Sequence, residues 1–237
     1  MLKAYELFPI DCAGKAYLLG FLGCDSSLYS PSNKMLLEIA DEPVMKFCSE
    51  MMDHDYTPYS KYDKRTDKTY TGYRMYRCIT DICQYYTGRL KSERIIPYKL
   101  VPDCYMSFLI QGIFDADGSL AIYEYSPTNI GLRLEIASSH NIIKTVYEII
   151  NAYLNINAHI KDRGSYMSLF IYNRNEIFSF LQWIYRAPWF LPLPRKYEKA
   201  CRALNTIMAL NKPGKLPALT GALDTSIHKP FTTSYIP

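Results

Sequence analysis

Phe108-Leu109-Ile110-Gln111-Gly112-Ile113-Phe114-Asp115-Ala116-Asp117-Gly118-Ser119-Leu120 joins an apolar run to two acidic residues and a glycine stop. Its spacing reads as a buried helix that ends on a carboxylate. A weaker copy precedes it: Tyr17-Leu18-Leu19-Gly20-Phe21-Leu22-Gly23-Cys24-Asp25-Ser26-Ser27-Leu28 sets Gly20 over Gly112 and Asp25 over Asp117, 92 residues apart. The residues after each copy repeat as well. Leu37, Glu38, Ile39 and Ala40 return as Leu134, Glu135, Ile136 and Ala137 at an offset of 97, each time before an amphipathic helical stretch. The expectation is a molecule of two fused halves with one site shared between them.

The order of elements is set by pattern and punctuation. In the first half the motif helix leads into two extended segments around a turn at residues 30–33. Asp41 then offers an N-cap, with Pro43 in the first turn, for a helix to about residue 53. A longer hairpin over residues 56–77 and a helix near 80–90 complete the half, and the prolines at 97 and 102 mark residues 94–103 as the linker. The second half repeats this order, with strands near 120–125 and 132–137. In its next helix Ile142, Ile143, Val146, Ile149, Ile150 and Tyr153 fall on one face. A hairpin comes next over 158–171, and then Asn173 with Glu176 spells a capping box for a helix to about residue 185. The predicted class is α+β, with two pseudo-symmetric αββαββα halves whose motif helices pair at the centre. The predicted division is 1–100 for the N-terminal half with linker, 101–194 for the C-terminal half, and 195–237 for a last helix and an irregular tail.

With 49% hydrophobic and 14% aromatic residues, 237 residues are ample for a core. Lys and Arg number 27 against 23 acids, a net charge of +4 that permits nucleic-acid binding without arguing for it. The charge is informative once localised. Residues 61–77 hold Lys61, Lys64, Arg65, Lys68, Arg74 and Arg77 against two acids, with tyrosines between them. That run reads either as phosphate-contacting or as a solvated two-stranded ribbon. Seven cysteines without a CxxC pair, and an N-terminus without a signal-peptide pattern, lead to the expectation of a reduced, intracellular protein. No apolar run is long enough for a membrane span. His54, His140, His159 and His228 show no metal-ligand spacing.

Two helices approach closely only where side chains are small, and Gly20 and Gly112 supply such positions. Helices packed side by side in parallel bring Asp25 and Asp117 out together beside unpaired backbone carbonyls. Two ionised carboxylates at the negative ends of two helices repel one another, and a divalent cation removes the conflict. Carboxylate and carbonyl oxygens are hard ligands suited to Mg²⁺.

These residues resemble the LAGLIDADG homing endonucleases, in the monomeric form that carries two motifs on one chain. Over residues 110–118 five of nine positions agree with the family word (Gly112, Asp115, Ala116, Asp117, Gly118), and over 18–26 three agree (Leu18, Gly20, Asp25). The likeness spans roughly residues 10–200. It implies a monomeric, Mg²⁺-dependent endonuclease that hydrolyses phosphodiester bonds in double-stranded DNA. Asp25 and Asp117 would be catalytic, each serving one strand, with the carbonyls of Cys24 and Ala116 as further metal ligands. It also implies a saddle of hairpins over the DNA major groove, whose contacts would include Tyr29, Asn33 and Lys34 in one half and Tyr123, Tyr125 and Arg133 in the other. Alternation supports this, because Leu132, Leu134 and Ile136 then face the core. The basic run would hold phosphates, and Lys61, Lys64, Lys161 and Arg163 are the candidates for a basic residue near the scissile phosphate.

The chain departs from the family word at two positions. Gly23 replaces the first acidic residue, and Ser26 stands where glycine would take a left-handed conformation. The halves differ at nearly every expected contact, so the target should be long and asymmetric. Intein splicing blocks are missing, which favours a free-standing or intron-encoded protein of an organelle or cytoplasm. The alternative function is a cleavage-deficient DNA-binding regulator, or an RNA maturase whose partner is intron RNA.

Overall fold

The computed structural model describes residues 4–29, 34–64, 66–86, 91–126, 129–187, 190 and 192–210. Asn33, Arg65 and the predicted tail at 211–237 lie outside them. In the first half α1 (Ala13–Asp25), β1 (Ser26–Tyr29), β2 (Lys34–Ile39), α2 (Glu42–Met52), β3 (Thr57–Asp63), β4 (Lys68–Cys78) and α3 (Thr80–Tyr86) come in the expected order. The second half answers with α4 (Met106–Asp117), β5 (Gly118–Ser126), β6 (Asn129–Ser138), α5 (His140–Leu154), β7 (His159–Asp162), β8 (Met167–Ile171) and α6 (Arg174–Ile184), and α7 (Pro194–Leu210) closes the described chain. The strands form two four-stranded antiparallel sheets, β1-β2-β4-β3 and β5-β6-β8-β7. The architecture is α+β with the same topology in both halves.

The centre is the pair α1 and α4, both predominantly apolar and both buried over nearly their whole length. Such helices suit only the middle of a molecule. Glycine makes their contact. A Cβ on Gly20 would land on the carbonyl oxygen of Leu109 and 3.0 Å from the Ile113 nitrogen, and one on Gly112 would land on the carbonyl of Tyr17 and 2.9 Å from the Phe21 nitrogen. Around this seam Phe190 takes Tyr17, Phe47 and Phe108 edge-on, at ring separations of 5.5, 5.3 and 5.3 Å.

Each sheet has one face on the helices and one turned away. Along β6, Leu132, Leu134 and Ile136 are buried while Arg133 and Glu135 are half-exposed, as alternation demands. Asn173 caps α6 as predicted, its Oδ1 accepting from the backbone of Asn175 at 2.9 Å and of Glu176 at 3.4 Å.

Two expectations are corrected. Asp41 does occupy the N-cap of α2, but its carboxylate makes no cap and instead receives Nε and Nη2 of Arg195 at 2.7 Å each. A bidentate charged pair displaces the cap, and it ties α7 to the first half. Tyr153, expected on the buried face of α5, is 39% exposed because its hydroxyl reaches Asp103 at 2.5 Å and its ring lies against Trp183. The segment 94–103, expected as the linker, does join the two halves, and it does so as a packed connection with short 3-10 turns in which Arg94, Ile96 and Val101 are buried.

Candidate active site

Asp25 and Asp117 are the last residues of α1 and α4, and both are half-buried. The structure brings them together. The Cys24 thiol, fully buried at the seam, lies close enough to both carboxylates that after burial they are the next causes raising its pKa. Lys196 on α7 likewise lies within electrostatic reach of Asp115, Asp25 and Asp117. A cleft of about 200 Å³ opens beside Asp25, lined among others by Glu38, Asp41, Asp115, Ala116 and Arg195.

Serine at 26 and glycine at 118 stop their helices in the same extended conformation, with φ −88° and −86° and ψ 158° and 154°. The expected left-handed stop is therefore absent from both. Glycine at 118 answers a need for space, since a Cβ there would run into the Phe114 ring, whereas the residue four before Ser26 is leucine. Ser26 itself is buried, and its hydroxyl donates to the Leu22 carbonyl at 2.5 Å.

Behind Asp117 stands a buried polar cluster. The Asp115 carboxylate accepts from the Tyr17 hydroxyl at 3.0 Å and the Tyr185 hydroxyl at 3.1 Å. Lys196 Nζ donates to the carbonyls of Phe114, Asp115 and Gly118 at 2.6, 2.7 and 2.7 Å, completing the C-terminal end of α4. Ala116 is outside that set. Burial pushes the Asp115 carboxyl up to about 7, opposed by Lys196 and by the two hydroxyl donors, and burial pulls Lys196 down to about 8.

The Asp115 shift has a consequence for stability. In the unfolded chain this carboxyl titrates near about 3.9, so between that value and about 7 the folded protein holds a proton that the unfolded chain has released. Its contribution therefore favours folding at low pH and is lost as pH rises through the folded value. Asp115→Asn removes the dependence: wild-type stability relative to the variant should fall by up to about 1.4 kcal/mol per pH unit across that window. Urea unfolding at stepped pH reads the difference, and a flat difference would place the proton elsewhere.

The first half has a matching frame. Tyr86 ends α3 as Tyr185 ends α6, and Arg94 reaches the helix end as Lys196 does. Arg94 Nη1 donates to the Ser26 carbonyl at 2.9 Å, with its guanidinium 5.2 Å from the Tyr86 ring centre. Burial lowers the Arg94 pKa. These two basic residues were invisible to sequence reasoning, which looked for them in the hairpins. Their signal lay in extending the repeat to Tyr86/Tyr185 and Arg94/Lys196, at offsets of 99 and 102.

The proposed DNA contacts divide by face. Strand register sets Lys34, Arg74, Lys68 and Lys61 on the face of the first sheet that carries Tyr59 and Tyr76, and Tyr29 pairs opposite Lys34. Arg74 bonds Glu38 at 2.7 Å there and lies 4.5 Å from the Tyr59 ring centre. Arg77 falls on the other face, level with buried Met35, and its Nε is itself buried. Lys64 sits exposed at the β3–β4 turn. In the second sheet Tyr123 and Tyr125 stack at 6.3 Å, with Arg133 over Tyr123. Lys161 lies on that outer face of β7, and Arg163 is exposed in the turn after it.

No protein-family model and no curated protein matches this sequence. Solved structures do. The homing endonuclease I-WcaI bound to its DNA recognition sequence matches 81% of this chain and 85% of its own, at 15% identity and a TM-score of 0.55. The I-LtrWI LAGLIDADG homing endonuclease bound to target DNA matches 83% and 91%, at 10% identity and 0.54. The fold is that of the LAGLIDADG homing endonucleases. Full-length DUF199/WhiA from Thermatoga maritima shares it, at 17% identity and a TM-score of 0.55 over 82% of this chain. This chain spans 60% of the length of that protein.

On the LAGLIDADG fold the donor set fits a hard divalent cation. Asp25, Asp117 and helix-end carbonyls offer only oxygen, and both carboxylates act on the same lysine and thiol. Among the described residues no group of three or more His, Cys, Asp or Glu gathers as metal ligands. Mg²⁺ suits such a site, since it typically takes one or two carboxylates and completes its shell with water and substrate phosphate. Among the described residues no helix is long and apolar enough to cross a membrane.

Proposed function

We propose that this protein is a monomeric, site-specific endonuclease that hydrolyses both strands of double-stranded DNA at a long asymmetric target. The observation that carries the proposal is the meeting of Asp25 and Asp117 at the carbonyl ends of two helices packed through glycine. Mg²⁺, when bound, supplies polarisation of the scissile phosphate and an activated water. Asp25 and Asp117, with the carbonyls of Cys24 and Ala116, hold it. Arg94 and Lys196 fix the helix ends so that the carboxylates stay where the phosphate arrives. The outer sheet faces take the duplex, with Arg74 and Arg133 set over tyrosine rings for groove contacts and Lys61, Lys64 and Lys68 for phosphates. That two structures of like fold are bound to DNA supports a duplex as the partner.

Binding without cleavage is the second reading, favoured by Gly23, which leaves the first half without the buried acid that the second half has at Asp115. Its partner is DNA or intron RNA. The deciding substrate is a duplex spanning the gene's own genomic insertion point, rejoined without the insert. In Mg²⁺ the protein should break both strands, and in chelator it should bind without breaking either. Binding with both strands intact in Mg²⁺ transfers the case to the second reading.

A further inference from the structure

Helices cover one face of the second sheet, and the other face holds aromatic rings in the open. The register of β5 puts Tyr123 opposite Gly131 on that face. After the shift between Glu124 and Ser126 the Tyr125 ring comes over Gly131 as well, since a Cβ there would lie 3.1 Å from Tyr125 Cε2. Glycine leaves that ring its place. Tyr123 and Tyr125 stack at 6.3 Å with planes 19° apart, the Arg133 guanidinium lies 5.6 Å from the Tyr123 ring centre, and Tyr125 is 70% exposed. A second group stands two strands across. Phe170 pairs with Glu135 on one side and His159 on the other, which sets both rings on the outer face. Tyr172 stacks on Phe170 at 5.8 Å with planes 11° apart and has the His159 ring at 5.7 Å; with Tyr172 over it Phe170 is 6% exposed, while Tyr172 itself is 51% exposed. Ile171 pairs with Leu134, so one step further the register sets Tyr172 level with Arg133. The two ring groups flank one guanidinium, about 10 Å apart at ordinary strand spacing.

Exposed ring faces call for flat partners. In a duplex each base is covered above and below by its neighbours, and a groove offers only base edges and thymine methyl groups. An unpaired base offers its whole face. Stacking on aromatic side chains is largely indifferent to which base it is, and four-stranded sheets with rings on their open face hold unpaired bases in this way. The charge here suits a phosphate backbone. Arg133 and Lys161 stand on the face with Glu135, and Arg163 is exposed in the turn after β7. Asp162 is turned the other way, onto His140 at 3.2 Å and the Gly164 nitrogen at 2.8 Å.

We propose that the outer face of the second sheet binds single-stranded nucleic acid, stacking unpaired bases on Tyr125 and Tyr172 and holding the backbone at Arg133 and Lys161. This ligand is additional to the duplex and does not depend on cleavage. Fluorescence anisotropy of a labelled oligouridylate of about 12 nucleotides tests it, with the full chain in chelator at one fixed ionic strength. An abasic strand of equal length and charge is the comparison. The uridylate should bind about tenfold or more tightly than the abasic strand. Tyr125→Ala and Tyr172→Ala should each weaken it about tenfold, whereas Tyr172→Phe, which keeps the ring, should stay within about twofold. Tyr172→Leu keeps Phe170 covered but has no flat face, and it carries the test if the alanine variant does not fold.

Random-sequence duplex should lose about threefold or less in Tyr172→Ala, because it presents no base face to the ring. Oligodeoxyuridylate in the same assay separates the sources: tighter binding of the ribose strand marks contact with the 2′-hydroxyl and an RNA ligand, and equal or tighter binding of the deoxy strand marks single-stranded DNA. Either result upholds the face. Equal affinity for the abasic strand overturns the proposal, since charge alone would then hold the chain. So does an equal loss of duplex and single strand in Tyr172→Ala, which would make the ring a contact for any nucleic acid. Base-dependent binding by a protein that cuts neither strand of its duplex in Mg²⁺ upholds this proposal and sinks the endonuclease. A cut duplex with no preference for uridylate over the abasic strand does the reverse.

Discussion

Asp117→Asn should reduce cleavage of one DNA strand by roughly 10³-fold or more while leaving the protein folded and bound to its target. Asparagine keeps the size and shape of the half-buried side chain, so the seam has no cause to move. What it loses is a full negative charge at the carbonyl end of α4, where the proposed site would hold the cation. Cation stabilisation of a phosphoryl transition state is worth several kcal/mol, and each 1.36 kcal/mol is about tenfold in rate. Asp25→Asn should do the same to the other strand. Binding in chelator should tighten in both variants, by about 1 kcal/mol, because a carboxylate no longer faces the incoming phosphate. Filter binding and strand-labelled cleavage separate the two effects. Cleavage within tenfold of wild type in both variants would remove these aspartates from the chemistry.

The pairing of Asp25 with Asp117 was legible in the sequence because it depends on a local pattern used twice. A glycine and an aspartate at fixed spacing on an apolar helix need no knowledge of the rest of the chain. Alternation along β6 was legible for the same reason. The residues around the aspartates were not, because they arrive from afar: Lys196 meets the end of α4 across about 80 residues, and Arg94 meets Ser26 across 68. No periodicity encodes such a meeting. Asp41 and Tyr153 show the converse failure, in which local propensity was sound but a distant partner, Arg195 or Asp103, took the side chain. Ser26 was misjudged for a third reason. Glycine in the family word suggested a left-handed backbone, whereas both stops are extended and the small residue at 118 makes room for Phe114.

Gly112→Ala should destabilise the protein by about 3 kcal/mol or more, at the upper end of what overpacking a core usually costs. The new methyl would meet the Tyr17 carbonyl and the Phe21 backbone nitrogen of the facing helix, and backbone within a buried helix has no rotamer to escape into. Relief comes only by moving α1 away from α4, which opens the seam along its length and separates the two aspartates. Gly20→Ala should cost a similar amount from the opposite side, against the Leu109 carbonyl. The double variant should fall well short of the sum, because one displacement of the helices accommodates both methyl groups and neighbouring changes of this kind couple strongly. Gly164→Ala is the contrasting case: nothing lies near its Cβ and the cost, about 1 kcal/mol, is that of a left-handed φ of +82°. Urea unfolding of the four variants measures all of this. Additive losses at 20 and 112 would mean that the helices yield locally, and that the glycines do not form one shared contact. Any activity that survives in Gly112→Ala should be lost in proportion to the aspartates' separation, with DNA binding by the sheets less affected.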